Sequence, residues 1–513
     1  MYATLISGSR SLDGDTLAQR VLRAAGGLAA WGLRPGDVVA ILMRNDFPVL
    51  EMTLAANRAG IVAVPLNWHA NRDEIAFILE DCKARVLVAH TDLLKGVASA
   101  VPEACKVLEA ASPPEIRQAY RLSDASCTAN PGTVDYEGWL QASEPSTALP
   151  VAAPASLLYT SGTTGRPKGV QRANGTPELA AKFGLRVRLA HGQEIRPIRA
   201  VLTGPLYHSA PYVYALNSLR FGEVLVLQPR FDADELLDLV ERHRLSHMHV
   251  VPTMFSRLLD LPPARRAAFD TSTLSAVTHG AAMCPRDVKQ AMIDWWGPVI
   301  IEYYAGTEIG VIATCTSEEW LSHPGTVGKA PEGVRIAIVD DEGHPVPIGD
   351  KGEILIHADV ADLVTYHNRP EALTELRRGE WITLGDIGHL DADGFLWISD
   401  RKKDMVISGG VNIFPAELEE EAMKLPEVRD CVAFGIADRD LGEVLVLVVE
   451  PHAGARADLE TMRATLKNRL GGLRCPRFLL SMPVLPREDS GKIARRKLKQ
   501  QYIDSIAPSS AAA

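Results

Sequence analysis

Apolar and polar positions change period repeatedly along the first hundred residues. Residues 16–31 carry apolar side chains at helical spacing, and Leu33-Arg34-Pro35-Gly36-Asp37 then turns the chain into the continuous apolar run 38–43. A second helix-like stretch, 49–58, leads into Gly60-Ile61-Val62-Ala63-Val64-Pro65. Short apolar runs between amphipathic helices suit strands buried on both faces, so this rhythm predicts a mainly parallel sheet covered by helices. The alternation returns with strand-like 223–227 and 247–251 around helix-like 232–242. Near residue 325 the texture changes: short strands at 334–339 and 353–356, with turns such as Asp341-Glu342-Gly343, predict a smaller β-rich subdomain. Residues 404–500 read as a compact α+β unit, 508–513 as a disordered tail, and no internal repeat is visible.

Length and charge narrow the picture. At 513 residues the chain exceeds the roughly 250–300 residues at which a single core stops growing, so two or more domains are expected. A net charge of −10 argues against nucleic acid as the main partner and confines any anionic ligand to local basic pockets. The seven cysteines are scattered with no Cys-x-x-Cys pair, which predicts reduced thiols rather than a disulfide or metal framework. Neither a signal peptide nor a membrane-spanning run is visible, and the expected location is the cytoplasm.

The most informative stretch is Leu158-Tyr159-Thr160-Ser161-Gly162-Thr163-Thr164-Gly165-Arg166-Pro167-Lys168-Gly169. Glycines let a backbone approach phosphates, hydroxyls and amides donate to their oxygens, and a lysine neutralises their charge. The loop lacks the Walker pattern, because Pro167 and Gly169 stand where that pattern needs Gly and Ser or Thr. Tyr303-Tyr304-Ala305-Gly306-Thr307-Glu308 offers a carboxylate suited to a hard cation. Asp386, after Leu384-Gly385, is an acceptor-only side chain able to hold a cis-diol. Downstream come Asp400-Arg401-Lys402-Lys403-Asp404, the glycine pair in Ser408-Gly409-Gly410-Val411, and Pro486-Arg487-Glu488-Asp489-Ser490-Gly491-Lys492. His243, His247 and His249 tempt a metal reading, but the predicted helix ends before His247, so structural roles are expected for them.

Together these motifs resemble those of the acyl-adenylate-forming superfamily, and most closely its stand-alone acyl-CoA synthetases. The resemblance runs over nearly the whole chain. It implies a large N-terminal domain, 1–402, of packed α/β sheets with a β-rich subdomain, and a small mobile α+β domain, 403–513. It implies that Thr160, Ser161, Gly162, Thr163, Thr164, Gly165 and Lys168 cradle the phosphates of ATP. Tyr304 would stack on adenine, with Thr307, Gly280 and Ala281 beside the nucleotide, and Glu308 would hold Mg²⁺. Asp386 would take the ribose hydroxyls, and Arg401 the ribose or phosphate. His208, in Pro205-Leu206-Tyr207-His208, would sit by the substrate carboxylate. Lys403 would be the hinge, Gly409 and Gly410 would line the path of CoA, and Lys492 would reach in as the catalytic lysine of the adenylation step.

The implied reaction joins a carboxylic acid to CoA through an acyl-adenylate, releasing AMP and pyrophosphate. The rivals are a kinase or ATPase, which would release ADP, and a non-catalytic nucleotide-binding relative. The small residues Gly280, Ala281, Ala282 and Ala305 suggest room for a long or bulky acyl group, so a medium- or long-chain fatty acid is expected. The alternatives are an aryl, cinnamate-type or steroid side-chain acid, or a carrier-protein thiol as acceptor. A homodimer is compatible with the pattern.

Overall fold

The apolar run at 38–43 becomes the strand Val38–Leu42, whose five residues are all buried, as a strand covered on both faces requires. The structure is a computed structural model that describes residues 2–152, 157–160, 167–173, 175–452, 454–455, 457–487 and 493–506. The helix expected at 16–31 spans Gly14–Ala30. Asp13 caps it by accepting from the amides of Asp15 and Thr16. It stops where Gly32, at φ +80°, lets Leu33 N–H turn back to the carbonyl of Leu28 at 3.1 Å. The remaining expected elements appear within one or two residues, as Phe47–Arg58, Val62–Pro65, Val224–Leu227, Ala233–His243, His247–Val250 and Val334–Val339.

Two sheets form most of the large N-terminal domain. One is an all-parallel sheet of five strands centred on Val38–Leu42 and Ala84–His90. The other has eight strands and a parallel middle in which His247–Val250 lies between Arg199–Leu202 and Ala276–His279. Between the sheets lies a layer of helices: Gly14–Ala30, Phe47–Arg58 and Ser209–Phe221 bury their apolar faces against strands from both. Further helices cover the outer faces, which completes a layered α/β architecture.

The change of texture near residue 325 corresponds to an antiparallel sheet built on Val334–Val339, Gly352–Ala358, Trp381–Leu390 and Leu396–Arg401. The small C-terminal domain has its own sheet, dominated by the long pair Val428–Asp438 and Gly442–Pro451. Helices Pro415–Met423 and Leu459–Leu470 cover one face and Arg495–Ile506 the other. Arg429 of this domain pairs with Asp260 of the large one at 2.7 Å. All seven cysteines are free thiols. Among the described residues no helix is long and apolar enough to cross a membrane.

Candidate active site

The phosphate-loop motif is framed by a hairpin. Leu158–Thr160 and Lys168–Arg172 pair antiparallel with Thr160 opposite Lys168, so the two ends of the loop are held side by side. The expected donors Ser161, Gly162, Thr163, Thr164 and Gly165 lie outside the described residues. A third strand, Val364–Tyr366, adds to the hairpin with Tyr366 opposite Val170. That pairing puts the Tyr366 ring 5.4 Å from Lys168 Nζ, and the Tyr366 hydroxyl donates to Glu308 Oε1 at 2.8 Å. Burial, and then the charge of Glu308, push that phenol above its ordinary range, so it stays a donor. Lys168 and Glu308, from motifs far apart in sequence, therefore share one tyrosine. Arg172 lies on the same strand as Lys168. Burial, and then Arg186, bring its guanidinium down to about 10, and it packs on the Phe183 ring at 4.3 Å.

Tyr304 and Asp386 meet next to this group. The Tyr304 hydroxyl donates to Asp386 Oδ2, and Arg401 Nε lies 3.3 Å from Asp386 Oδ1. Asp386 and Arg401 face each other across the ladder between Trp381–Leu390 and Leu396–Arg401. Tyr304 ends a run in which the ladder to Gly310–Cys315 shifts register between Tyr304 and Ala305. The Ala305 side chain is exposed. Leu384 has a packing role: a Cβ on Gly306 would come within 2.6 Å of Leu384 Cδ1.

The strand Ala276–His279 delivers Gly280 and Ala281 to the same edge, Ala281 at φ +69°. A Cβ on Gly280 would lie 2.8 Å from Tyr303 Cζ. The missing side chain is therefore filled by Tyr303 and is not an open channel for an acyl chain, which removes one of the reasons for expecting a long acid. Ala282 is exposed. His208 is the N-cap residue of helix Ser209–Phe221, with its ring 4.4 Å from that of Tyr207. Pro205-Leu206 ahead of it is tied down by Asn45, whose Oδ1 accepts from the Leu206 amide at 2.9 Å. His247 and His249 both lie on the buried strand His247–Val250, as the sequence suggests.

The two neighbours of Lys403 bond in different directions. Lys402 Nζ bonds Asp341 at 2.9 Å and Glu353 at 3.0 Å, both in the β-rich subdomain. Asp404 pairs at 3.6 Å with Arg495 of the C-terminal domain. Burial, and then Arg401, lower the Lys403 ammonium from its ordinary value. Gly409 and Gly410, at φ +57° and +80°, form the two-residue turn between Val406–Ser408 and Val411–Ile413. A turn of that kind needs left-handed backbone at both positions, which accounts for the glycine pair without any ligand. Lys492 lies outside the described residues, but the residues flanking it are joined, Arg487 bridging to Ile493.

Tyr366 and Arg172 are the members of this group that the sequence does not point to. No local motif surrounds Tyr366, and only strand pairing brings it to Lys168.

Comparison with known proteins follows the same lines. Residues 2–361 match the family model of AMP-binding enzymes, and residues 417–492 match that of the AMP-binding enzyme C-terminal domain. The chain is 33% identical over 507 residues to feruloyl-CoA synthase of Amycolatopsis sp, covering 98% of this chain and 96% of the relative. It is 30% identical to indoleacetate–CoA ligase of Aromatoleum aromaticum, covering 96% and 93%. Among solved structures, o-succinylbenzoate CoA synthetase from Bacillus subtilis with its acyl-adenylate superposes with a TM-score of 0.77. The identity there is 26%, covering 97% of this chain and 95% of that one.

Proposed function

This chain belongs to the AMP-binding enzyme family and is an AMP-forming acid–thiol ligase, and we propose that it loads an aromatic carboxylic acid onto CoA. The observation that carries the reading is the meeting of two groups, Lys168–Tyr366–Glu308 and Tyr304–Asp386–Arg401. One suits a polyphosphate and the other a nucleoside. The choice of an aromatic acid over the expected fatty acid is supported by the 33% identical relative, named for ferulate, and by others named for indoleacetate and succinylbenzoate, although relatives 29–30% identical are named for fatty acids.

A carboxylate is a poor electrophile because oxide would have to leave. Its oxygen attacks the α-phosphorus of ATP, the bond to pyrophosphate breaks, and the acyl-adenylate that forms carries AMP as a good leaving group. The protein contributes positioning and charge stabilisation. Asp386, held between the Tyr304 hydroxyl and Arg401, accepts from the ribose hydroxyls, and the Tyr304 ring lies against adenine. Lys168 and the hairpin loop take the phosphates. The half-buried Glu308 carboxylate, with Tyr366 on Oε1, is the hard oxygen donor that suits Mg²⁺, which would neutralise phosphate charge when bound. His208 faces the carboxylate end of the acid.

Lys492 bridges carboxylate and α-phosphate in the first half-reaction. The domains then pivot at Lys403, between Lys402 and Asp404, with 403–513 turning as the mobile unit. The Gly409–Gly410 turn comes to the site, the CoA thiolate attacks the carbonyl carbon, and AMP departs. Lys492→Ala tests this division of labour. Acyl-adenylate formation should fall by about 10²–10³-fold, the usual cost of one charge-stabilising donor. Thioester formation from supplied acyl-adenylate should persist. An equal loss in both half-reactions of a folded variant contradicts the assignment.

A further inference from the structure

The carboxyl edges of the two large sheets meet at one buried side chain that the mechanism above does not use. Asn45 stands in the short loop 43–46, between the strand Val38–Leu42 of the five-stranded sheet and the helix Phe47–Arg58. It is 5% exposed. Three hydrogen bonds run from it to the eight-stranded sheet. Nδ2 donates to the carbonyls of Gly204 at 3.0 Å and Gln228 at 3.3 Å, and Oδ1 accepts from the Leu206 amide at 2.9 Å. Gly204 and Leu206 follow the strand Arg199–Leu202, and Gln228 follows its parallel neighbour Val224–Leu227. One side chain at the end of a strand in one sheet therefore ties down the ends of two strands in the other.

We propose that Asn45 is a positioning residue for acid binding: it fixes the loop Pro205-Leu206-Tyr207-His208 so that His208 meets the substrate carboxylate. The inference rests on the ligase reading and adds a residue to it. Ligands of open α/β sheets bind outside the carboxyl ends of the strands. The loop lies at that edge, after Arg199–Leu202, as Gly280 and Ala281 do after Ala276–His279. These strands run parallel, with His247–Val250 between them. One residue separates Leu206 from His208, so a shift at the Asn45 bond is passed to the imidazole directly.

A carboxamide is the group this junction demands. It must answer one donor and two acceptors at once, and a carboxamide carries both kinds of group on one planar end. Turned over, it would set its oxygen against two carbonyls and its NH₂ against an N–H, so the partners fix its orientation. An ionised carboxylate would face the two carbonyls with no proton to donate, and an alanine would remove all three bonds from a buried place. The anchor itself is stiff. Arg44, before Asn45, pairs with Asp92 at 2.8 Å, and Asp46, after it, pairs with Arg10 at 2.6 Å and His90 at 3.1 Å. Arg44 also lies over the Trp68 ring at 5.0 Å, and Trp68 meets the Tyr207 ring edge-on at 6.3 Å. The same short loop thus holds the neighbour of His208 by a second route.

The test is a pair of KM values, for the acid and for ATP, on the full-length enzyme, read as AMP with benzoate, ferulate, indoleacetate and octanoate as the acids. KM does not depend on the folded fraction of a preparation. In Asn45→Ala, KM for any acid that the wild type accepts should rise about 10-fold while KM for ATP stays within about twofold, because the misplaced loop touches the acid and not the nucleotide. Asn45→Ser keeps a hydroxyl in the junction and should show a smaller rise of the same kind. It keeps the measurement open if Asn45→Ala does not fold. Equal rises in both constants would show a general loosening, and two unchanged constants would show that the loop stands without Asn45; either result overturns the proposal. AMP from none of the four acids with the wild type would instead strike at the ligase reading itself.

Discussion

Lys289 and Glu302 bring opposite charges within 2.5 Å inside the core, with side chains 0% and 7% exposed. The pair ties helix Arg286–Trp296 to the strand Ile300–Gly306 that carries Tyr304. Removing one partner of such a pair leaves the other charge buried and uncompensated, typically at about 3–5 kcal/mol. Lys289→Met should cost that much in urea unfolding, and Lys289→Met with Glu302→Leu should recover most of it. A single variant as stable as wild type would mean that the pair is not closed in solution. The buried histidines set a pH dependence. His191 sits at about 3 and His247 and His249 at about 4, each lowered by burial, against 6.5 when exposed. Below pH 6.5 the unfolded chain takes up protons that the native state refuses. Stability is therefore full above that value and is lost as pH falls towards 4, by up to about 1.4 kcal/mol per pH unit for each histidine. Unfolding midpoints at pH 7, 6 and 5 would show the fall, and a flat profile would contradict it. At this scale Lys168, Glu308, Asp386 and Arg401 were legible because each stands in a local motif. Tyr366 and the partners of Asn45 were not, because only tertiary packing assembles them.

The hairpin turn at Gly409 and Gly410 shows how one feature can have two explanations at the scale of an element. The motif suggests space for a thin ligand, whereas the positive φ angles show a backbone demand that glycine alone meets cheaply. A Cβ on Gly410 would meet nothing within 4 Å, so Gly410→Ala isolates the backbone cost. It should destabilise the C-terminal domain by about 1–2 kcal/mol, the cost of a left-handed alanine. If the turn also serves CoA, thioester formation should fall more than adenylation in the same variant. Equal rates in both half-reactions would leave the turn with a structural role only. Helices and strands were largely legible from period and run length, as Gly14–Ala30 and Val38–Leu42 illustrate. The sandwiching of three helices between two sheets was not, since pattern gives the apolar face of an element but not what covers it.

For the molecule as a whole, the proposed two-step reaction requires two domain arrangements around one pivot. Lys402 bonds the β-rich subdomain and Asp404 pairs with Arg495 of the C-terminal domain, an arrangement that suits the proposed pivot at Lys403. Lys403→Pro fixes φ near −65° and restrains Lys402 as well, which should preserve adenylation and abolish transfer to CoA. Undiminished thioester formation by that variant would place the pivot elsewhere. The contact of Arg429 with Asp260 was invisible in the sequence, because neither residue stands in a motif and the pair exists only once the domains meet. The central claim, that this protein joins an acid to CoA through an adenylate, is tested most directly by a product balance. With an accepted aromatic acid, ATP, Mg²⁺ and CoA, the products should be AMP, pyrophosphate and the acyl-CoA thioester in equal amounts, with no AMP when the acid is omitted. ADP with orthophosphate, in place of AMP with pyrophosphate, would contradict it.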